Sequence, residues 1–155
     1  MTPRRWGRTA AALAVAVLAL LSTGCAPDRR DMERQAATEA RSNAQAVQAW
    51  LGSVVQDEAG STPEEVVDAL EQSLEGSTIA MWNGPGVTTG RTTTWPVAVV
   101  GSASESSFPS NVMAYARLCF DATFDHGSGA VTLSDIDCPA DAGTPDDAID
   151  ADLEP

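Results

Sequence analysis

Few residues in this chain of 155 are able to do chemistry. His126 is the sole histidine, and it sits in His126-Gly127-Ser128-Gly129, where a turn is expected. A Ser-His-Asp relay built on it would need Asp121 or Asp125 to orient the ring and Ser128 or Ser134 as nucleophile. No nucleophile-elbow motif accompanies them. Lysine is absent, all nine bases being arginine, so Schiff-base chemistry and a lysine phosphate clamp are unavailable. No Gly-rich loop leads a strand into a helix, which removes the usual nucleotide cradles. No His or Cys pair stands at ligand spacing, so no metal site is expected, and Asp146, Asp147, Asp150 and Asp152 do not follow an EF-hand loop. Acids abound, so a pair of carboxylates is the enzymatic arrangement the composition leaves open. Trp82, Trp95 and Tyr115 could line a ligand surface, although the core is the ordinary place for large aromatics.

The elements that must position these residues show two periods. From Asp31, the residues Met32, Ala36, Ala40, Ala44, Val47, Leu51 and Val54 recur at steps of three and four, one face of a helix that Gly60 ends. Alanine lines its first half, so a stalk that packs only from about Val47 onward is expected. Thr62-Pro63-Glu64-Glu65 marks a second helix start, with a capping threonine, proline in the first turn and a glutamate to close the capping box. Val66, Val67, Leu70 and Leu74 form its stripe and Gly76 stops it. After Gly76 the period becomes two. Strands are expected over 78–82, 92–102, 111–125 and 130–137, with loops over 83–90 and 102–110. Pro96 suggests an edge position or a bulge in the second strand. In the third, Val112, Ala114, Ala116, Leu118, Phe120, Ala122 and Phe124 belong in the core, and the alternating Met113, Tyr115, Arg117, Cys119, Asp121 and Thr123 are expected to face solvent. The expected fold is α+β over 31–138: two N-terminal helices packed on an antiparallel sheet of about four strands. Residues 139–155 hold six acids and no base, the composition of a disordered acidic tail.

The last two strands bring Cys119 and Cys138 together. If Phe124 pairs with Val131, Cys119 faces Ile136 and Cys138 lies diagonally across; a shift of two sets the cysteines opposite each other. Either register puts both sulfurs on one side of the sheet. A disulfide needs Cα atoms within about 7 Å, which direct or bulge-adjusted pairing supplies most easily. A structural bridge is expected, since no CxxC spacing suggests a redox role.

Ahead of these elements, residues 2–9 carry Arg4, Arg5 and Arg8 and no acid. Residues 10–21 are unbroken Ala, Leu and Val, and Ser22-Thr23-Gly24-Cys25 follows. A basic start, an apolar middle and a small-residue exit are the layout of a secretory signal. The apolar run falls short of the about 20 residues a spanning helix needs. On these residues the chain resembles bacterial lipoprotein precursors, with Leu21-Ser22-Thr23-Gly24-Cys25 as the lipobox. The resemblance implies a diacylglyceryl group on the Cys25 thiol and cleavage between Gly24 and Cys25. Residues 1–24 would then be the signal peptide and 25–30 a lipidated tether. Two acyl chains on one residue satisfy the need for a double anchor. The odd cysteine is also accounted for. The remainder of the chain resembles small exported actinobacterial lipoproteins.

The formal charge is −13, and without residues 1–24 six arginines face 22 acids, a balance of −16. Such a surface repels nucleic acid and anionic headgroups, so the lipid rather than charge would hold the protein to a membrane. The expected function is that of a lipid-anchored, extracytoplasmic interaction or binding module without catalysis. Its expected partners are the membrane, through Cys25, and a protein of the cell envelope; no nucleic acid and no cofactor are implied. The alternative is a hydrolase of cell-wall polymers that uses paired carboxylates.

Overall fold

The computed structural model describes residues 28–107 and 110–154. The expected signal segment, Gly24 and Cys25 lie outside the described residues. Helices α1 (Arg29–Asp57) and α2 (Pro63–Glu75) pack on one face of a sheet. The sheet contains β1 (Ala80–Asn83), β2 (Val87–Thr89), β3 (Thr92–Ser107), β4 (Ser110–Asp125), β5 (Ala130–Asp135) and β6 (Ile149–Asp150). Strand order is β1-β3-β4-β5, with β2 beside β3 and β6 beside β4. All pairings are antiparallel except the two-residue β6, which runs parallel to β4. The fold is therefore α+β as expected, with six strands where about four were anticipated.

The first helix begins at Arg29, two residues earlier than expected, because Asp28 caps it by accepting from the Arg30 amide at 3.0 Å. It is not a stalk. Met32, Ala36, Ala37, Ala40 and Ala44 are buried together with Val47 and Leu51. Small side chains allow this, since Gly101 of β3 sits directly beneath. A Cβ added there would fall under 3.0 Å from Ala36 O and Ala40 N. Alanine on the helix and glycine on the strand thus exchange apolar bulk for close approach, and dispersion contacts replace the missing area. The second helix follows its sequence signal closely. Thr62 and Glu65 form the capping box, and Val66, Leu70 and Leu74 are buried.

Strands β3 and β4 pair without a break from Thr92↔Asp125 to Ser107↔Ser110. Residues 102–107 are therefore strand, not loop. The reason is a period-two pattern that the serines disguise: Ser102, Ser104 and Ser106 are exposed while Gly101 and Ala103 are buried, facing α1. The inward face expected in β4 is observed, with Ala114, Ala116, Leu118, Phe120, Ala122 and Phe124 all buried, but Cys119 on the opposite face is buried too, covered by Ala142 and bonded to Cys138. Pro96 marks neither a bulge nor an edge strand. It lies in an interior strand at the junction of β1 and β2, where its carbonyl accepts from Gly84 N at 2.9 Å and no N–H is required.

The C-terminal segment is ordered, which corrects the expected boundary at residue 138. Ala142 is buried over Ala98 and Cys119, and Ile149 and Leu153 pack on the main core. Arg117 pairs with Asp150 and donates to Thr144 Oγ1 at 3.3 Å. Arg41 donates to the Asp152 carbonyl at 2.8 Å, and Asp135 accepts from Leu153 N at 2.7 Å. A few well-placed apolar side chains and two arginines are enough to dock an otherwise acidic strap. The disulfide fixes its start: Cys119 and Cys138 are bonded with Cα atoms 5.1 Å apart. Phe124 does pair with Val131, so Cys119 faces Ile136. The ladder stops at Asp135, and the chain turns back over the sheet to bring Cys138 to Cys119.

Candidate functional site

A cleft of about 320 Å³ opens where α2 meets the loop between β1 and β2. Glu71 and Glu75, one turn apart on α2, form one wall. Asn83, Gly84, Pro85 and Gly86 form the other, and Trp95 closes the floor. Trp95 is 2% exposed, and its indole N–H donates to Glu71 Oε1 at 3.2 Å. A Cβ at Gly86 would overlap both the indole and that carboxylate, so only glycine lets the loop close over this bond. Gly84 is equally constrained, its missing Cβ falling 2.7 Å from Pro96 Cγ. Among the described residues no arginine stands within ion-pair distance of Glu71 or Glu75. The cleft is thus an electronegative, hydrogen-bond-accepting recess with a rigid floor.

The three aromatics are not gathered into one platform. Trp95 faces the helices with Val97, whereas Trp82 packs on the opposite side of the sheet with Ala98, Ile136 and Cys138. Tyr115 lies far along β4, where its hydroxyl donates to Met113 Sδ at 3.6 Å. Sequence reasoning singled out Trp82 and Trp95 for flanking the loop but missed Glu71, Glu75 and Asn83. The available signal was the one-turn spacing of the two glutamates beside Leu70 and Leu74.

His126 occupies the β4–β5 turn, as its glycine neighbours indicated. Its Nε2 lies 2.9 Å from Thr93 Oγ1, which in turn lies 2.9 Å from Thr88 Oγ1. Thr93 is the one buried polar residue among those described, and this chain satisfies its hydroxyl. Asp125 serves the turn backbone instead of the ring, accepting from Gly127 N and Ser128 N at 2.8 Å each. Those two bonds, with Arg91 nearby, hold its carboxyl down to about 2. Asp121 and Ser134 face each other in the register β4–β5, on the side of the sheet away from Phe124 and the helices. The hydrogen bonds His126 makes are therefore structural, and no Ser-His-Asp relay is assembled from these residues. Asp146, Asp147, Asp150 and Asp152 are likewise spread out along the strap, Asp150 being held by Arg117. Among the described residues no three His, Cys, Asp or Glu side chains converge on a metal-sized site, and no helix is long and apolar enough to cross a membrane.

No protein-family model matches the chain, and no curated protein or solved structure shows significant similarity to it.

Proposed function

We propose that this protein is a lipid-anchored module of the extracytoplasmic membrane face that binds a partner rather than transforming a substrate. The observation that carries the reading is the cysteine arrangement. Cys119 and Cys138 are bonded to each other, so Cys25, at the end of the apolar leader, is the thiol left for acylation. A structural disulfide also suits an oxidising compartment. For the partner, the sheet edge offers exposed Met81 and Val87, 58% and 61% exposed, with Ile79, 36% exposed, just before β1. Such residues on an otherwise strongly acidic surface favour a protein contact. The test is the variant Cys25→Ser expressed with its leader. The wild type should remain with the membrane fraction, and the variant should leave it; equal membrane retention of both would overturn the reading.

A second reading rests on the cleft, where Glu71 and Glu75 supply two carboxylates beside Asn83. A cell-wall polymer hydrolase would use one as acid and the other as base or nucleophile. Turnover of polymeric cell-wall glycan that disappears in Glu71→Gln and Glu75→Gln, with the fold retained, would establish the enzyme. No turnover by the wild type would remove it.

A further inference from the structure

Charge is partitioned sharply between the two ends of this domain. Gly101 lies against Ala36 and Ala40, Asn43 Nδ2 donates to Val100 O at 2.9 Å, and Glu39 accepts from Ser102 N at 2.7 Å. At the other end, Gln48 reaches Val131 O and Val55 lies next to Gly129. The start of α1 and the distal half of the β3–β4 ribbon therefore come out at one end. From this crossing α1 has about 14 Å left to Arg29 at helical rise, and the ribbon about 20 Å to Ser107 at strand rise. Outward of this crossing, and clear of the strap whose β6 pairs with Ala116 and Arg117, residues 28–36, 102–107 and 110–114 hold three arginines and four acids, a balance of −1. The rest of the chain after Gly24 holds three arginines and eighteen acids, a balance of −15. Arg29 and Arg34 pair with Glu33 and Asp31, Arg30 is exposed without an ion pair among the described residues, Met113 is 46% exposed, and Tyr115 stands beside it.

We propose that this charge-balanced end is a membrane-contacting surface that rests on anionic lipid headgroups, with the acidic remainder, cleft included, directed outward. The proposal builds on the reading of Cys25 as the acylated residue. Whatever the conformation of residues 25–28, three residue steps reach about 10 Å at most, so acylation there brings the first turn of α1 to the bilayer. Close to an anionic surface, within a Debye length of roughly 8 Å, a balanced end is tolerated while fifteen uncompensated acids are repelled. Met113 and Tyr115 offer the apolar body and polar tip that suit the headgroup layer.

The test uses the full chain, processed in cells, extracted and reconstituted into vesicles of phosphatidylcholine with or without phosphatidylglycerol. A fluorophore is attached at Ser104→Cys on the ribbon or at Ser128→Cys in the opposite turn, and a headgroup-spin-labelled lipid serves as quencher. The label at 104 should be quenched several-fold more strongly than that at 128. Arg30→Glu should weaken quenching at 104 in the anionic vesicles and leave it unchanged in the neutral ones. Equal quenching at both positions, or stronger quenching at 128, in protein whose intact mass includes the acyl chains overturns the orientation alone. Protein without acyl mass overturns the anchoring reading and the orientation together.

Discussion

The contact between Gly101 and α1 yields the sharpest stability prediction. Gly101→Ala places a methyl under 3.0 Å from Ala36 O and Ala40 N, whereas ordinary contact begins near 3.4 Å. Both atoms are helix backbone, so no side chain can rotate aside, and α1 must lift along its alanine stripe. Overpacking of a close-packed core by one methyl costs about 1–3 kcal/mol, and a rigid neighbour points to the upper limit. Loss of unfolded-state freedom on replacing glycine returns about 0.5–1 kcal/mol. The net destabilisation is about 2 kcal/mol, or about 8 °C in Tm for a domain of this size. Urea titration followed by far-UV circular dichroism, at constant slope, measures it. Gly52→Ala is the control: it also lies in the fold, but its added Cβ meets nothing within 4 Å. In mid-helix that change should stabilise by about 0.5–1 kcal/mol. A Gly101→Ala variant as stable as the wild type would refute the close helix–strand packing.

Three further outcomes follow from other contacts. Reducing the Cys119–Cys138 bridge, which spans 19 residues, should lower stability by about 3 kcal/mol while leaving the sheet formed, as thermal unfolding with and without reductant will show. Asp125, held at about 2 when folded against an ordinary 3.8, stabilises the fold above its unfolded value, and that contribution fades as pH falls from about 4 towards 2. Asp125→Asn should therefore be less stable at neutral pH and flatter across that acid window; an unchanged acid profile would show that the turn bonds carry no such linkage. Deleting residues 149–155 removes β6 and Leu153 from the core, and should cost about 2 kcal/mol for two half-buried aliphatic side chains. A free tail would produce no change.

Much of the fold was legible because local signals agreed with tertiary structure. Thr62-Pro63-Glu64-Glu65 encodes its own cap, and the alternation in β4 leaves a single choice of inward face. The stretches that misled did so for identifiable reasons. Alanine reads as weakly hydrophobic, but opposite Gly101 it becomes the means of close packing. Ser102, Ser104 and Ser106 resemble a linker by composition, yet their spacing keeps Ala103 on the inner face. The strap over 139–154 looks solvated until Arg117, Arg41 and Cys138 are seen to hold it, and those partners are distant in sequence. The cleft was illegible for the same reason, since Trp95 and Glu71 meet only when the loop closes at Gly86.

Intact mass spectrometry of the protein extracted from membranes addresses the central reading most directly. A mass that lacks residues 1–24, includes a diacylglyceryl group on Cys25 and shows the hydrogen deficit of one disulfide is the predicted result. A mass equal to the unprocessed chain, or to a cleaved chain with an unmodified Cys25, would contradict it.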